Sequence, residues 1–119
     1  MKWTRVENGT YTAGPYTVER ADYHRAVWSS SGPGVSAGVG HETKAGAQAA
    51  AENAARERIK GHGDSVEPVT GDLVTVHEGS RSGIVRAVFP GTHHPIYSIL
   101  LARGKRLCLE RSEFQVVMP

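Results

Sequence analysis

The chain predicts an α+β protein of two units, a sheet-plus-helix unit over residues 1–63 and a small β-barrel over residues 64–119. Three observations carry this expectation. One alanine-dense stretch has helical composition, five short β-rich runs follow it with no further helical segment, and a stretch bearing glycine and proline separates the two. A chain of 119 residues matches one domain or two very small ones, so any core is modest.

The first unit begins with β-rich runs at 16–20 and 23–29, separated by Ala21-Asp22, a spacing that predicts an antiparallel hairpin. A third strand is expected around 35–39, with a glycine loop as the alternative because Gly32, Gly34, Gly38 and Gly40 weaken strand pairing. From Thr43 to Lys60 the sequence "TKAGAQAAAENAARERIK" predicts a helix, and Gly61 stands where a C-cap belongs. Ala47, Ala51, Ala54 and Ala55 form a stripe at helical spacing that Ile59 extends. A stripe of methyl groups lets the helix lie close to a sheet, with Trp3, Tyr16, Val18 and Trp28 available to fill the space between. Glu52 and Arg56 are spaced for a favourable pair, and Arg56, Arg58 and Lys60 suit the negative end of the helix dipole.

The connector "GHGDSVEP" spans residues 61–68. After it come "LVTVH", "IVRAVF", "IYSILLA", "RLCLE" and "FQVVM", five β-rich runs punctuated by turn residues, the pattern of a small barrel. In the first run Val74 and Val76 are expected to point inward, with Thr75 and His77 facing out. Gly83 is expected to allow close approach of strands at a turn.

Within "GDLVTVHEGSRSGIVRAV", from Gly71 to Val88, a Gly-Asp pair, an alternating strand, a short polar loop and a glycine before a second strand resemble the KOW motif. The resemblance implies an SH3-like barrel of the kind found in transcription elongation factors and ribosomal proteins, and "YSILLARGKRLCLERSEFQVV" is similar to the remaining strands of one. SH3-like barrels bind RNA, DNA, peptides or methylated side chains, so the fold alone does not name a ligand. The loop "HEGSRS" lacks the aromatic and basic residues that many nucleic-acid-contacting members carry. The N-terminal half, with Thr43-Lys44 opening an alanine-rich helix, resembles the sheet-plus-helix arm-binding domains of phage integrases. Alanine, glycine and arginine usage is similar to that of a high-GC actinobacterial or actinophage gene.

Composition narrows the chemistry. The single cysteine, Cys108, excludes an internal disulfide and a cysteine-based zinc site, and its neighbours Leu107 and Leu109 are expected on the opposite strand face. The six histidines show no ligand spacing, and adjacent His93 and His94 belong to a loop tip between Pro90 and Pro95. "GVSAG" over 34–38 matches a nucleophile elbow with Ser36 as nucleophile and His41 nearby, but an elbow needs a helix at once after the serine, whereas "VGHE" intervenes. "GPGVSA" imitates a dinucleotide fingerprint whose glycines would lie too far from the helix start. Neither a signal peptide nor an apolar segment of membrane-spanning length is present, which places the chain in a cytoplasm. No cofactor, metal or small-molecule substrate is expected.

The net charge is +2, with eight basic against six acidic residues over 1–63 and six against six over 64–119, so a cationic surface must come from arrangement. The sequence therefore predicts a non-catalytic binding protein. Its first candidate ligand is a nucleic acid or nucleoprotein, contacted by His77, Arg81, Arg86, Arg103, Lys105 and Arg106. The alternative is an adaptor or inhibitor that binds a protein through exposed Tyr11, Tyr23, Phe89, Ile96 and Tyr97, such as a phage factor acting on a host complex or a virion component.

Overall fold

The computed structural model describes residues 1–22, 26–36, 39–60 and 65–119. These form one α-helix and two antiparallel sheets of five strands each, an α+β architecture. The chain divides into two units, Met1–Arg58 and Ile59–Pro119.

The first sheet is larger than the predicted hairpin or three-stranded sheet. It is a meander of β1 (Thr4–Glu7), β2 (Thr10–Ala13), β3 (Tyr16–Asp22), β4 (Ala26–Ser31) and β5 (Gly40–His41), with neighbours paired in sequence order. Asn8-Gly9 joins β1 to β2, and Gly9 has φ +82°, so the left-handed conformation that this two-residue hairpin needs falls on a glycine. Ala21 and Asp22 are strand residues paired with Val27 and Ala26, so they do not form the expected turn. The expected third strand is displaced to Gly40–His41, and Val35 instead closes a turn by donating its N–H to the Gly32 carbonyl.

Helix α1 (Lys44–Ile59) begins at Thr43, whose Oγ1 accepts the Gly46 N–H at 3.0 Å. That bond satisfies one of the donors left open in the first helical turn. Ala47, Ala51 and Ala55 are buried, and Tyr16 packs with Ala51 and Ala55. Met1, Trp3, Val35 and Ala54 flank this cluster. Two polar tips are satisfied at its rim: the Trp3 indole donates to Glu52 at 3.0 Å and the Tyr16 hydroxyl donates to the Pro33 carbonyl at 3.0 Å. Gly32 (φ +141°) passes so near the Tyr16 ring that a side chain there would collide with it. The expected C-cap, Gly61, lies outside the described residues.

In the second unit β6 (Leu73–Val76), β7 (Arg81–Phe89), β8 (Ile96–Leu101), β9 (Arg106–Leu109) and β10 (Phe114–Val117) follow the order β10-β6-β7-β8-β9. The five predicted runs are the five strands. The sheet is nonetheless open, because β9 and β10 remain edges with no ladder between them, so the pairing does not form the expected closed barrel. Val74, Val76, Val85, Ile99, Phe114 and Val116 make the core, and Leu107 and Leu109 pack against it while Cys108 is exposed. The second half of the connector joins this core too: Val66 is buried, and its carbonyl accepts the Arg111 Nε–H at 3.0 Å.

The Gly-Asp pair has a local explanation. Gly71 has φ +96°, and buried Asp72 accepts the Val69 N–H at 2.8 Å while donating its own N–H to the Val69 carbonyl. A second turn feature lies before β10, where Glu110 and Glu113 reciprocally cap a short 3₁₀ turn. Gly83, expected at a turn, sits inside β7 between Val74 and Leu101. Its smallness is steric: a Cβ there would stand 2.5 Å from Ile99 Cγ2 and 3.1 Å from the Leu100 carbonyl oxygen.

Candidate nucleic-acid interface

Antiparallel register gathers the site. Val76 pairs with Arg81 and Gly83 pairs with Leu101, so the β6–β7 loop and the β8–β9 hairpin emerge at the same end of the second sheet. The hairpin is closed by the Leu101 N–H donating to the Lys105 carbonyl at 2.7 Å. Its tip, Arg103-Gly104, has φ +70° and +80°. A basin of about 400 Å³ opens between these segments, lined by Arg81, Ser82, Leu101, Ala102, Arg103 and Lys105.

Three cations thus share one hollow floored by the buried Leu101. None of the three has an acidic or hydrogen-bonding side-chain partner among the described residues. Like charges set around one concavity raise its potential and favour an anion. The backbone around the basin is also unusual. Ser80 (φ +47°) and Arg103 are the two non-glycine residues in the left-handed region among those described, and each lies on one of the two loops beside it. A left-handed L-residue costs roughly 1–2 kcal/mol, and such strain concentrates where a side chain must be aimed. Arg81 runs across Gly79, its Nε 3.5 Å from where a Cβ on that glycine would stand.

The other predicted contacts spread out. Arg106 is exposed at the start of β9, at the same end but outside the lining of the basin. His77 is exposed, donates its backbone N–H to the Glu113 carbonyl at 3.0 Å, and lines a separate hollow of about 450 Å³ with Arg111, Ser112 and Phe114. Arg86 is exposed at the β7 bulge between Val85 and Ala87, five residues from Arg81 and so about 17 Å along the strand.

Compared with known protein families, with curated proteins and with solved structures, the chain has no match. The geometry therefore carries the functional reading alone.

The adaptor residues fare unevenly. Tyr97, expected to be exposed, is only 5% accessible and stands edge-on to Phe114 with ring centroids 5.3 Å apart. The alternation of β8 explains this, since Tyr97 shares its inward face with Ile99 and Leu101. Phe89 is 53% exposed and pairs with half-buried Ile96, with exposed Val88 beside it. Tyr11 is half-buried, tilted against Trp28 and covered by the Lys44 ammonium 4.5 Å from its ring centroid. Tyr23 lies outside the described residues.

Sequence reasoning missed Ser82, which only the pairing of β7 with β8 brings to the hairpin cations, and the buried Leu101 and exposed Ala102 beside them. It also missed Arg111, whose guanidinium donates to the Val66 and Phe114 carbonyls and lies over the Phe114 ring. Ser36 is exposed and eight residues from the first residue of α1, and Gly38 of its motif lies outside the described residues. Among the described residues no group of His, Cys, Asp or Glu is arranged to hold a metal, and no helix is long and apolar enough to cross a membrane.

Proposed function

We propose that the protein is a non-catalytic nucleic-acid-binding or nucleoprotein-associated module that holds phosphates at the basic end of its second sheet. The observation that carries this reading is the convergence of Arg81, Arg103 and Lys105 on one basin without acidic partners among the described residues. A KOW-like, SH3-like unit is part of the same proposal. It is supported by the strand order, in which four strands meander and the last returns beside the first.

The test is retention on mixed-sequence nucleic acid at ~50 mM salt, low enough to expose weak electrostatic binding. Arg103→Ala combined with Lys105→Ala lowers affinity alike for all sequences and flattens the salt dependence by about one unit for each phosphate that is no longer held. Absence of any retention by the native protein overturns the proposal.

One observation favours a second reading, a protein adaptor. The opposite end of the sheet exposes Val88 and Phe89 next to Ile96, an apolar tip that suits a protein partner. Binding through that tip persists as salt rises, and a partner captured through it survives nuclease treatment.

A further inference from the structure

We infer that the basin selects double-stranded over single-stranded nucleic acid and reads the sugar-phosphate backbone without regard to sequence. This rests on the nucleic-acid reading above and adds the class of ligand. Sites for single strands combine cations with aromatic side chains on which bases stack, at about 1–3 kcal/mol per base. Here the lining is Arg81, Ser82, Leu101, Ala102, Arg103 and Lys105, with no aromatic ring among them.

Nor does the rest of the second unit supply an exposed phenyl, phenol or indole ring at that end, where exposed His77 lines a separate hollow. Its Phe and Tyr residues are Phe89, Tyr97 and Phe114, and it has no Trp. Tyr97 and Phe114 are buried against each other in the core. Phe89 is exposed, but it lies eight residues along β7 from Arg81, about 26 Å away at the strand's other end. A base splayed from a single strand at the basin meets no phenyl, phenol or indole ring, only the side chains of Arg81, Ser82, Leu101, Ala102, Arg103 and Lys105.

What remains is charge, and charge density then decides the preference. A duplex carries one phosphate per ~1.7 Å of axis against ~3.4 Å for one of its strands, so three fixed cations meet a stronger field and release more counterions on the duplex. Leu101 and Ala102 in turn offer no group that distinguishes one base from another.

The experiment is fluorescence anisotropy of the full chain against a short mixed-sequence DNA duplex, the RNA duplex of the same sequence, each separated strand, and oligo-dT and oligo-dA, across a salt series. Expected are several-fold tighter binding to duplex than to any single strand, little dependence on sequence, and a slope of log affinity against log salt near about −2.7 for three bound phosphates. Arg81→Gln with Arg103→Gln, checked for native circular dichroism, reduces the duplex slope by about 1.8 units and removes the preference. Single strands bound as tightly as duplex, or a strong preference for one homopolymer, overturn the inference and leave the nucleic-acid reading standing. An unchanged slope in the folded variant overturns the assignment to this basin. No binding to any of the probes at ~50 mM salt overturns both readings. The two duplex arms separate DNA from RNA as the source of the backbone.

Discussion

At the scale of single residues, the second unit is governed by interactions that leave little freedom for substitution. Arg111 illustrates this: one guanidinium ties the Val66 and Phe114 carbonyls together and covers an aromatic face, so a basic residue that resembles a surface charge in the sequence is a strut in the fold. Gly83 illustrates the opposite case, a residue required for what it lacks. In many places Gly→Ala stabilises a protein by about 0.4–1 kcal/mol through the unfolded chain. At Gly83 the new methyl would press on Ile99 Cγ2, the Leu100 carbonyl and Leu101 Cδ2, all within 3.1 Å. Overpacking of a filled core costs about 1–3 kcal/mol, so crowding wins. Gly83→Ala is therefore expected to lower stability in urea unfolding by that amount, and Gly83→Val by more. An unchanged midpoint for both would mean that β7 does not lie this close to β8.

At the scale of elements, α1 shows how a local signal gains a tertiary role. Thr43 supplies the cap, and the next residue, Lys44, rests its ammonium over Tyr11 of β2. Each residue of the Thr-Lys pair that resembles an integrase feature in the sequence thus makes a contact within the fold. Thr43→Ala is expected to cost about 1 kcal/mol, read by circular dichroism as a lower melting temperature, because the Gly46 N–H loses its acceptor. Recovery in Thr43→Ser, which keeps the hydroxyl, separates capping from packing. The helix and the five strands of the second unit were legible because each is marked by period, composition and flanking turn residues. β1 and β2 were not, since their four-residue runs carry exposed or half-buried side chains apart from the small Ala13 and give little hydrophobic alternation. The signal that could have found them was Asn8-Gly9, the turn itself. Arg103 and Lys105 were legible as a cluster in sequence. Arg81 belongs with them only through the pairing of β7 with β8, a register that no local pattern specifies.

At the scale of the whole molecule, the two units differ in what they bury. The first rests on Tyr16, Val18 and Ala13 with a helix face made of Ala47, Ala51 and Ala55. The second buries four core valines, with Ile99, Leu101, Tyr97 and Phe114 among them and Val66 at the margin. Burying a branched or aromatic side chain contributes about 1.5–3 kcal/mol, whereas a methyl contributes far less, so among the described residues the second unit has the larger apolar stabilisation. Small units of this length are marginal, and a difference of this kind separates their unfolding. Both tryptophans, Trp3 and Trp28, belong to the first unit, which makes indole emission a private reporter of it. With rising urea, tryptophan emission is therefore expected to shift to the red before the amides of Val74, Val85 and Ile99 lose protection from hydrogen exchange. Anisotropy with duplex DNA should follow the later transition, because Arg81, Arg103 and Lys105 are all carried by the second unit. If emission, exchange and binding are lost together at one urea concentration, the two cores unfold as one and the first unit is more stable than its alanine-rich face implies.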